Sequence, residues 1–258
     1  METWVHPERL SEKNQEAKNT DTENIKAFGG DFGAYGYINR TGKFDDCDIA
    51  SHNNLNPIRL INHISPYLKG IKINKIADLG CGLGLTSNAL AERFDDAKVY
   101  GYEISTEAIE YAKRTFKKPV FQLKGIDKNT VFNHSFSFIL AQQFYPFTRE
   151  ITPHSSLDYP ISIMRVCLEH LEDKGMFVIA DVLDNPSFID KRLGECRKAF
   201  PEYSFTVKVT YPSKIVDTFL FSNRYLSILY CLLCKGIFWK MNFKLTSLIL
   251  ITKKQSHS

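Results

Sequence analysis

The apolar and polar positions divide this chain into regions of different character. Residues 1–27 are polar and show no apolar period, which predicts a flexible tail. The stretch FGGDFGAYGY over residues 28–37 mixes glycines with aromatic rings and predicts a loop that serves as a lid. Over residues 53–68, Leu55, Ile58, Ile61, Ile64 and Leu68 form one helical stripe, which Pro66 shortens. Residues 28–70 therefore read as an N-terminal cap segment and helix leading into the core.

From Ile71 the pattern alternates. Short branched or aromatic runs (KIADLG, KVYGYE, VFQLKG, SFILAQQF, MFVIAD) are separated by helix-like stretches at residues 85–94, 106–116, 161–171 and 187–200. Those stretches have the length of crossover helices, so the pattern predicts an α/β fold with a parallel sheet covered on both faces. Two further strand-like runs, YSFTVKVTYP and LTSLILITKK, flank an apolar segment with a helical insertion predicted over residues 218–240. Its longest charge-free run, residues 225–234, is far short of the roughly 20 residues that span a bilayer.

The composition adds limits. With 258 residues, 43% apolar and 24% charged, the chain can bury a substantial core, which excludes a disordered scaffold. Six cysteines are scattered without paired metal spacing, and Cys231 and Cys234 form one lone CxxC in an apolar stretch. They read as buried thiols, with no metal site, in a reducing, cytoplasmic protein. The net charge of +4 is too small to argue for nucleic acid by itself. From Ser222 onward, however, six Lys and Arg stand with no Asp or Glu, making residues 222–244 a candidate peripheral membrane or partner surface.

The chemistry concentrates in IADLGCGLG, from Ile76 to Gly84, where a strand runs into Gly80, Gly82 and Gly84 and then into a helix. Glycines let a ligand approach the backbone, and the amides opening the helix need a polar partner. Dinucleotide sites use GxGxxG, whereas this turn is GxGxG preceded by Asp78, and no phosphate-binding lysine follows. A second carboxylate, Glu103, ends the next strand, where a parallel sheet brings it beside the turn and where ribose hydroxyls are read.

DLGCGLG resembles motif I of the class I S-adenosylmethionine-dependent methyltransferases, and the resemblance extends with falling specificity from about Ile71 to Lys254. It implies a three-layer sandwich with a seven-stranded, mostly parallel sheet ending in an antiparallel hairpin, over residues 71–258. It also implies S-adenosylmethionine (SAM) as cofactor, held by Asp78, Gly80, Cys81, Gly82, Gly84, Glu103 and Ile104. Ile126 and Asp127 would lie at the adenine, and Gln142, with Gln143, near the methyl group. Three features depart from the family pattern: Ser137 where many members carry Asp, Met176 where many have a second glycine, and the long insertion between the last two strands.

Methyl transfer is an in-line displacement in which the protein mainly aligns the reactants, and a general base is optional. Reactive side chains cluster in QQFYPFTREITPHSSLDYP, where Tyr145, Arg149, His154 and Asp158 stand. His154 is the preferred base and Tyr145 the ring facing the sulfonium. Tyr35 and Tyr37 are placed over the cofactor, and His134 and His170 are read as structural. QQFYPF stands where base-methylating members carry an NPPY-like signature, so the expected acceptor is a small molecule or biosynthetic intermediate, with no nucleic acid. The alternatives are a non-catalytic SAM-binding module acting through the carboxyl-terminal segment and, more remotely, an NAD-dependent oxidoreductase.

Overall fold

The computed structural model describes residues 57–144, 147, 157–183, 186–210 and 245–254. The predicted tail, the glycine and aromatic loop, the insertion over residues 218–240 and the basic surface over residues 222–244 lie outside these described residues.

Helix α1 (Pro57–Ile64) starts on a proline, whose missing amide costs nothing in a first turn, and continues as a 3-10 turn, Ser65–Leu68, with Pro66 near its start. Strand and helix then alternate: β1 (Lys75–Leu79), α2 (Leu85–Arg93), β2 (Lys98–Glu103), α3 (Thr106–Thr115), β3 (Val120–Leu123) and β4 (Phe136–Gln142). After these come α4 (Asp158–Glu169), β5 (Leu171–Leu183), α5 (Pro186–Ala199), β6 (Tyr203–Thr210) and β7 (Leu245–Lys253). The four crossover helices fall where the apolar period places them.

The seven strands form one sheet in the order β3-β2-β1-β4-β5-β7-β6. The pairs from β3 to β5 are parallel, whereas β7 runs antiparallel to both β5 and β6. This is the sandwich with a terminal antiparallel hairpin that the resemblance implies.

Alternation along the strands assigns the two faces. Ile76, Phe138, Leu140, Val178 and Leu250 pack with Leu60, Ile64 and Leu90 of α1 and α2. Ala77, Ile139, Phe177, Ile179 and Ile251 pack with Ile163, Cys167, Leu193 and Cys196 of α4 and α5. A smaller cluster of Cys81, Ile109, Ala112 and Phe121 seats α3 beside β3.

The two departures within the sheet have local explanations. Ser137 is buried, and its hydroxyl accepts from the Asn74 and Lys75 amides and donates to the Lys75 carbonyl, at 2.9, 3.2 and 3.0 Å. A neutral hydroxyl can do both, whereas an ionised carboxylate only accepts. Met176 fills the face formed with α1 and α2, while the register between β4 and β5 shifts between Phe136 and Phe138 to take up the extra residues Glu172 to Gly175.

Candidate functional site

The carboxyl tips of β1, β2 and β4 converge on the turn after β1. Gly80, Gly82 and Gly84 have φ of 66°, 52° and 81°, the left-handed region that a side chain disfavours. Space is short as well: a Cβ on Gly84 would meet the Phe121 ring at 2.7 Å, and one on Gly80 would meet Phe144 Cδ2 at 2.7 Å. The turn is held by Cys81 N–H donating to the Tyr102 carbonyl and Gly84 N–H donating to the Cys81 carbonyl. Gly84 then caps α2 without a side chain, so nothing of its own covers the helix's first amides.

Three side-chain bonds tie this turn and the start of α2 to the strand tips. Ser87 Oγ donates to Asp78 Oδ2 at 2.6 Å. Gly82 N–H donates to Glu103 Oε2 at 3.0 Å. Thr86 Oγ1 donates to Gln142 Oε1 at 2.8 Å. Glu103 Oε1 also accepts from the Ile104 and Ser105 amides, at 2.7 and 3.1 Å.

Burial sets the electrostatics. Asp78 is only 1% exposed, and desolvation, with some repulsion from Glu103, pushes its carboxyl up from 3.8 to about 7 against the opposing Ser87 hydrogen bond. Desolvation also raises Glu103, opposed by the three amides it accepts from. Burial carries the Cys81 thiol well above its ordinary range, so it stays protonated, and Sγ donates to the Gly82 carbonyl at 3.8 Å within the turn.

The remaining predicted residues are distributed as follows. Ile104 is half-buried beside Glu103, and Ile126 is buried in the core near the β3 end. Asp127 Oδ1 accepts from the Asn129 amide and the Thr130 hydroxyl, closing a local turn. Asp158 is exposed in the first turn of α4. His134 packs on the Tyr100 ring. His170 bonds the Val166 carbonyl through Nδ1 and accepts from the Phe132 amide at Nε2, which makes both histidines structural, as expected. Tyr35, Tyr37, Tyr145, Arg149 and His154 lie outside the described residues.

Sequence reasoning missed Thr86, Ser87, Gly101 and Phe144. Gly101, inside β2, had a signal: a glycine in a strand marks a close approach, and a Cβ there would meet Cys81 Sγ and Ser87 Oγ at 2.9 Å. Glycine turn, helix amides and two strand-tip carboxylates thus meet at the carboxyl ends of β1 and β2.

A family described as the methyltransferase small domain matches residues 59–208, more than half of the chain. The chain belongs to this family, within the class I SAM-dependent methyltransferases. Ribosomal RNA small subunit methyltransferase C of Acinetobacter baylyi is 24% identical over 152 residues, 55% of this chain and 43% of that protein. The methyltransferase chain thus spans about half the length of the curated relatives it matches. A shorter match, 39% over 57 residues, is to trans-aconitate 2-methyltransferase of Pseudomonas aeruginosa, covering 22% of this chain and 19% of that one.

Among solved structures, the plantazolicin methyltransferase BamL, in complex with a triazolic desmethylPZN analog and SAH, superimposes with a TM-score of 0.58. It is 16% identical, covering 91% of this chain and 97% of that one. Magnesium protoporphyrin IX methyltransferase of Synechocystis PCC 6803, with bound SAM, gives 0.51 at 12% identity over 92% of this chain and 100% of that one. At these identities they establish the shared fold.

These comparisons correct one expectation. The partner assignment that paired a small-molecule acceptor with no nucleic acid is contradicted by the ribosomal RNA methyltransferases matched over half of the chain. The absence of one short signature at QQFYPF and of a separate basic module was too weak a ground, because RNA contacts can come from surface outside the matched region. Among the described residues, no helix is long and apolar enough to cross a membrane.

Proposed function

We propose that this chain binds SAM in the crevice above β1, β2 and β4 and transfers its methyl group to a nitrogen or oxygen nucleophile. The observation that carries this reading is Glu103, buried at the β2 tip and fixed by three backbone amides against the glycine turn. Oε2 carries one amide bond from Gly82, so the carboxylate retains capacity to accept from a ribose hydroxyl. Gly80, Gly82 and Gly84 give the turn three positions with no side chain of their own, and the buried carboxylates suit a ligand that brings hydroxyls and an ammonium group.

In this reading, SAM supplies the activated methyl carbon, and the protein orients the reactants and excludes water. Asp78, Gly80, Cys81, Gly82 and Gly84 line the amino-acid end, the last four through their backbone. Glu103 and Ile104 line the ribose side, Ile126 and Asp127 the adenine side, and Gln142 the methyl side, its amide oriented by Thr86. On the chain between β4 and α4, Tyr145 is assigned to face the sulfonium and His154 to the acceptor side as the proton acceptor.

The finer assignment concerns the acceptor. The ribosomal RNA relatives support an RNA acceptor, whereas the trans-aconitate enzyme, matched over a shorter stretch, supports a small molecule or biosynthetic intermediate. Incubation with methyl-labelled SAM and separate RNA and metabolite fractions distinguishes them by which fraction takes up label. Calorimetry that detects neither SAM nor its demethylated product S-adenosylhomocysteine (SAH) on the folded protein refutes the reading itself.

A further inference from the structure

Two buried carboxylates meet at the strand tips, and they are held in different ways. Glu103 has both oxygens engaged, Oε2 by the Gly82 amide and Oε1 by the Ile104 and Ser105 amides. Asp78 is buried more deeply, yet it accepts a single hydrogen bond, from Ser87 Oγ to Oδ2 at 2.6 Å. Its other oxygen, Oδ1, has no hydrogen-bond partner among the described residues. An ionised carboxylate offers about four acceptor sites, and a buried one left this short carries a desolvation cost unless something else supplies donors.

The lone donor is closely set. Ser87 is the third residue of α2 and fully buried, and its hydroxyl is spent on β1 while the start of its own helix has no side-chain cap. Behind it stands Gly101, the register partner of Asp78 on β2, where a Cβ would meet Ser87 Oγ and Cys81 Sγ, each at 2.9 Å. Gly101 therefore leaves the room that the hydroxyl fills.

In the cofactor reading, on which this inference rests, Asp78 lines the amino-acid end of the ligand. The ammonium group there brings both donors and positive charge, which a buried carboxylate with one bond lacks. How Oδ1 can be approached depends on how the carboxylate plane is turned, and the one hydrogen bond that fixes that plane comes from Ser87.

We propose that Ser87 is a positioning residue for the amino-acid end of the cofactor: its hydroxyl holds Oδ2 of Asp78 and so keeps Oδ1 turned to receive the ammonium group. Ser87 acts only through Asp78. The ionisable groups against that carboxyl are Glu103 on β2 and the Cys81 thiol of the turn, whereas α2 and β4 present Ser87 and Leu140. With burial dominant and no cation among them, the carboxyl is raised from 3.8 to about 7, and the Ser87 bond opposes the rise. Below that pH the ammonium meets a neutral acid, and above it a carboxylate.

The test sets SAH against methylthioadenosine, which has the same nucleoside and thioether without the amino-acid arm, by calorimetry on the full chain. Ser87→Ala is expected to weaken SAH about three- to tenfold and to leave methylthioadenosine within about twofold of wild type. In an Asp78→Ala background the same change is expected to add nothing, because its partner is gone. Equal losses for the two ligands, an undiminished SAH affinity, or a loss that persists in full beside Asp78→Ala each overturn the proposal and leave the cofactor reading intact. Failure of the wild type to bind SAH overturns that reading and the proposal with it. The wild type alone covers the case in which the alanine variant fails to fold. From about pH 7 down to about pH 5, SAH is expected to weaken by up to about tenfold per unit while methylthioadenosine holds steady, and parallel profiles for the two ligands refute the contact.

Discussion

Replacing Asp78 with asparagine is expected to stabilise the ligand-free protein at pH 8 relative to pH 5. Asp78 is buried with Ser87 donating to Oδ2 at 2.6 Å, and its carboxyl is raised from 3.8 to about 7, chiefly by desolvation. The folded protein therefore keeps this proton to about pH 7, whereas the unfolded chain releases it near pH 4. Between those values the native state binds more protons, so stability falls as pH rises and levels off above about 7. Three decades of proton affinity at about 1.4 kcal/mol each give on the order of 4 kcal/mol in all, of which about 2–3 kcal/mol falls between pH 5 and pH 8. Asparagine stays neutral throughout, and its amide oxygen can still accept from Ser87. Urea unfolding of both proteins, followed by circular dichroism at the two pH values, reads the effect as a difference between variants, in which other titrating groups largely cancel. If the variant minus wild-type difference is the same at pH 5 and pH 8 to within about 0.5 kcal/mol, Asp78 does not hold the proton and the reasoning fails.

Three further outcomes are expected. Glu103→Ala removes the proposed ribose acceptor and should weaken SAH binding at least about tenfold, roughly 1.4 kcal/mol by calorimetry. It should also lower the melting temperature, because the Gly82, Ile104 and Ser105 amides lose their acceptor. Gly80→Ala combines a φ of 66° with a contact of 2.7 Å to Phe144, and it should cost about 1–3 kcal/mol in urea unfolding and weaken SAH as the ring is displaced. Ser137→Ala removes the acceptor of the Asn74 and Lys75 amides and should cost about 1 kcal/mol while leaving SAH affinity unchanged, since it sits at the opposite end of the sheet from the crevice.

Much of this architecture is legible in the sequence because its strands are buried on both faces. Runs such as KIADLG and SFILAQQF are nearly continuous apolar stretches, and the stretches between them carry a helical period. The glycine turn was readable for a similar local reason, since three glycines in five residues suit a backbone in the left-handed region. The ties that shape the crevice were not readable. Thr86 and Gln142 are 56 residues apart and meet only because β4 lies next to β1. Nothing around Gln143 signals that it adopts a positive φ to turn Phe144 onto Gly80. Asp127, expected at the adenine, also has one carboxylate oxygen closing its own turn, a local bond that residue type alone does not announce.

The bonds from Ser87, Gly82 and Thr86 to three neighbouring strands bear on kinetics. A loop pinned at so many points has little left to order when a guest arrives. Exchange of spent donor for fresh is then limited by encounter and escape rather than by refolding of the receiving surface, and turnover can be set by whatever happens on the acceptor side.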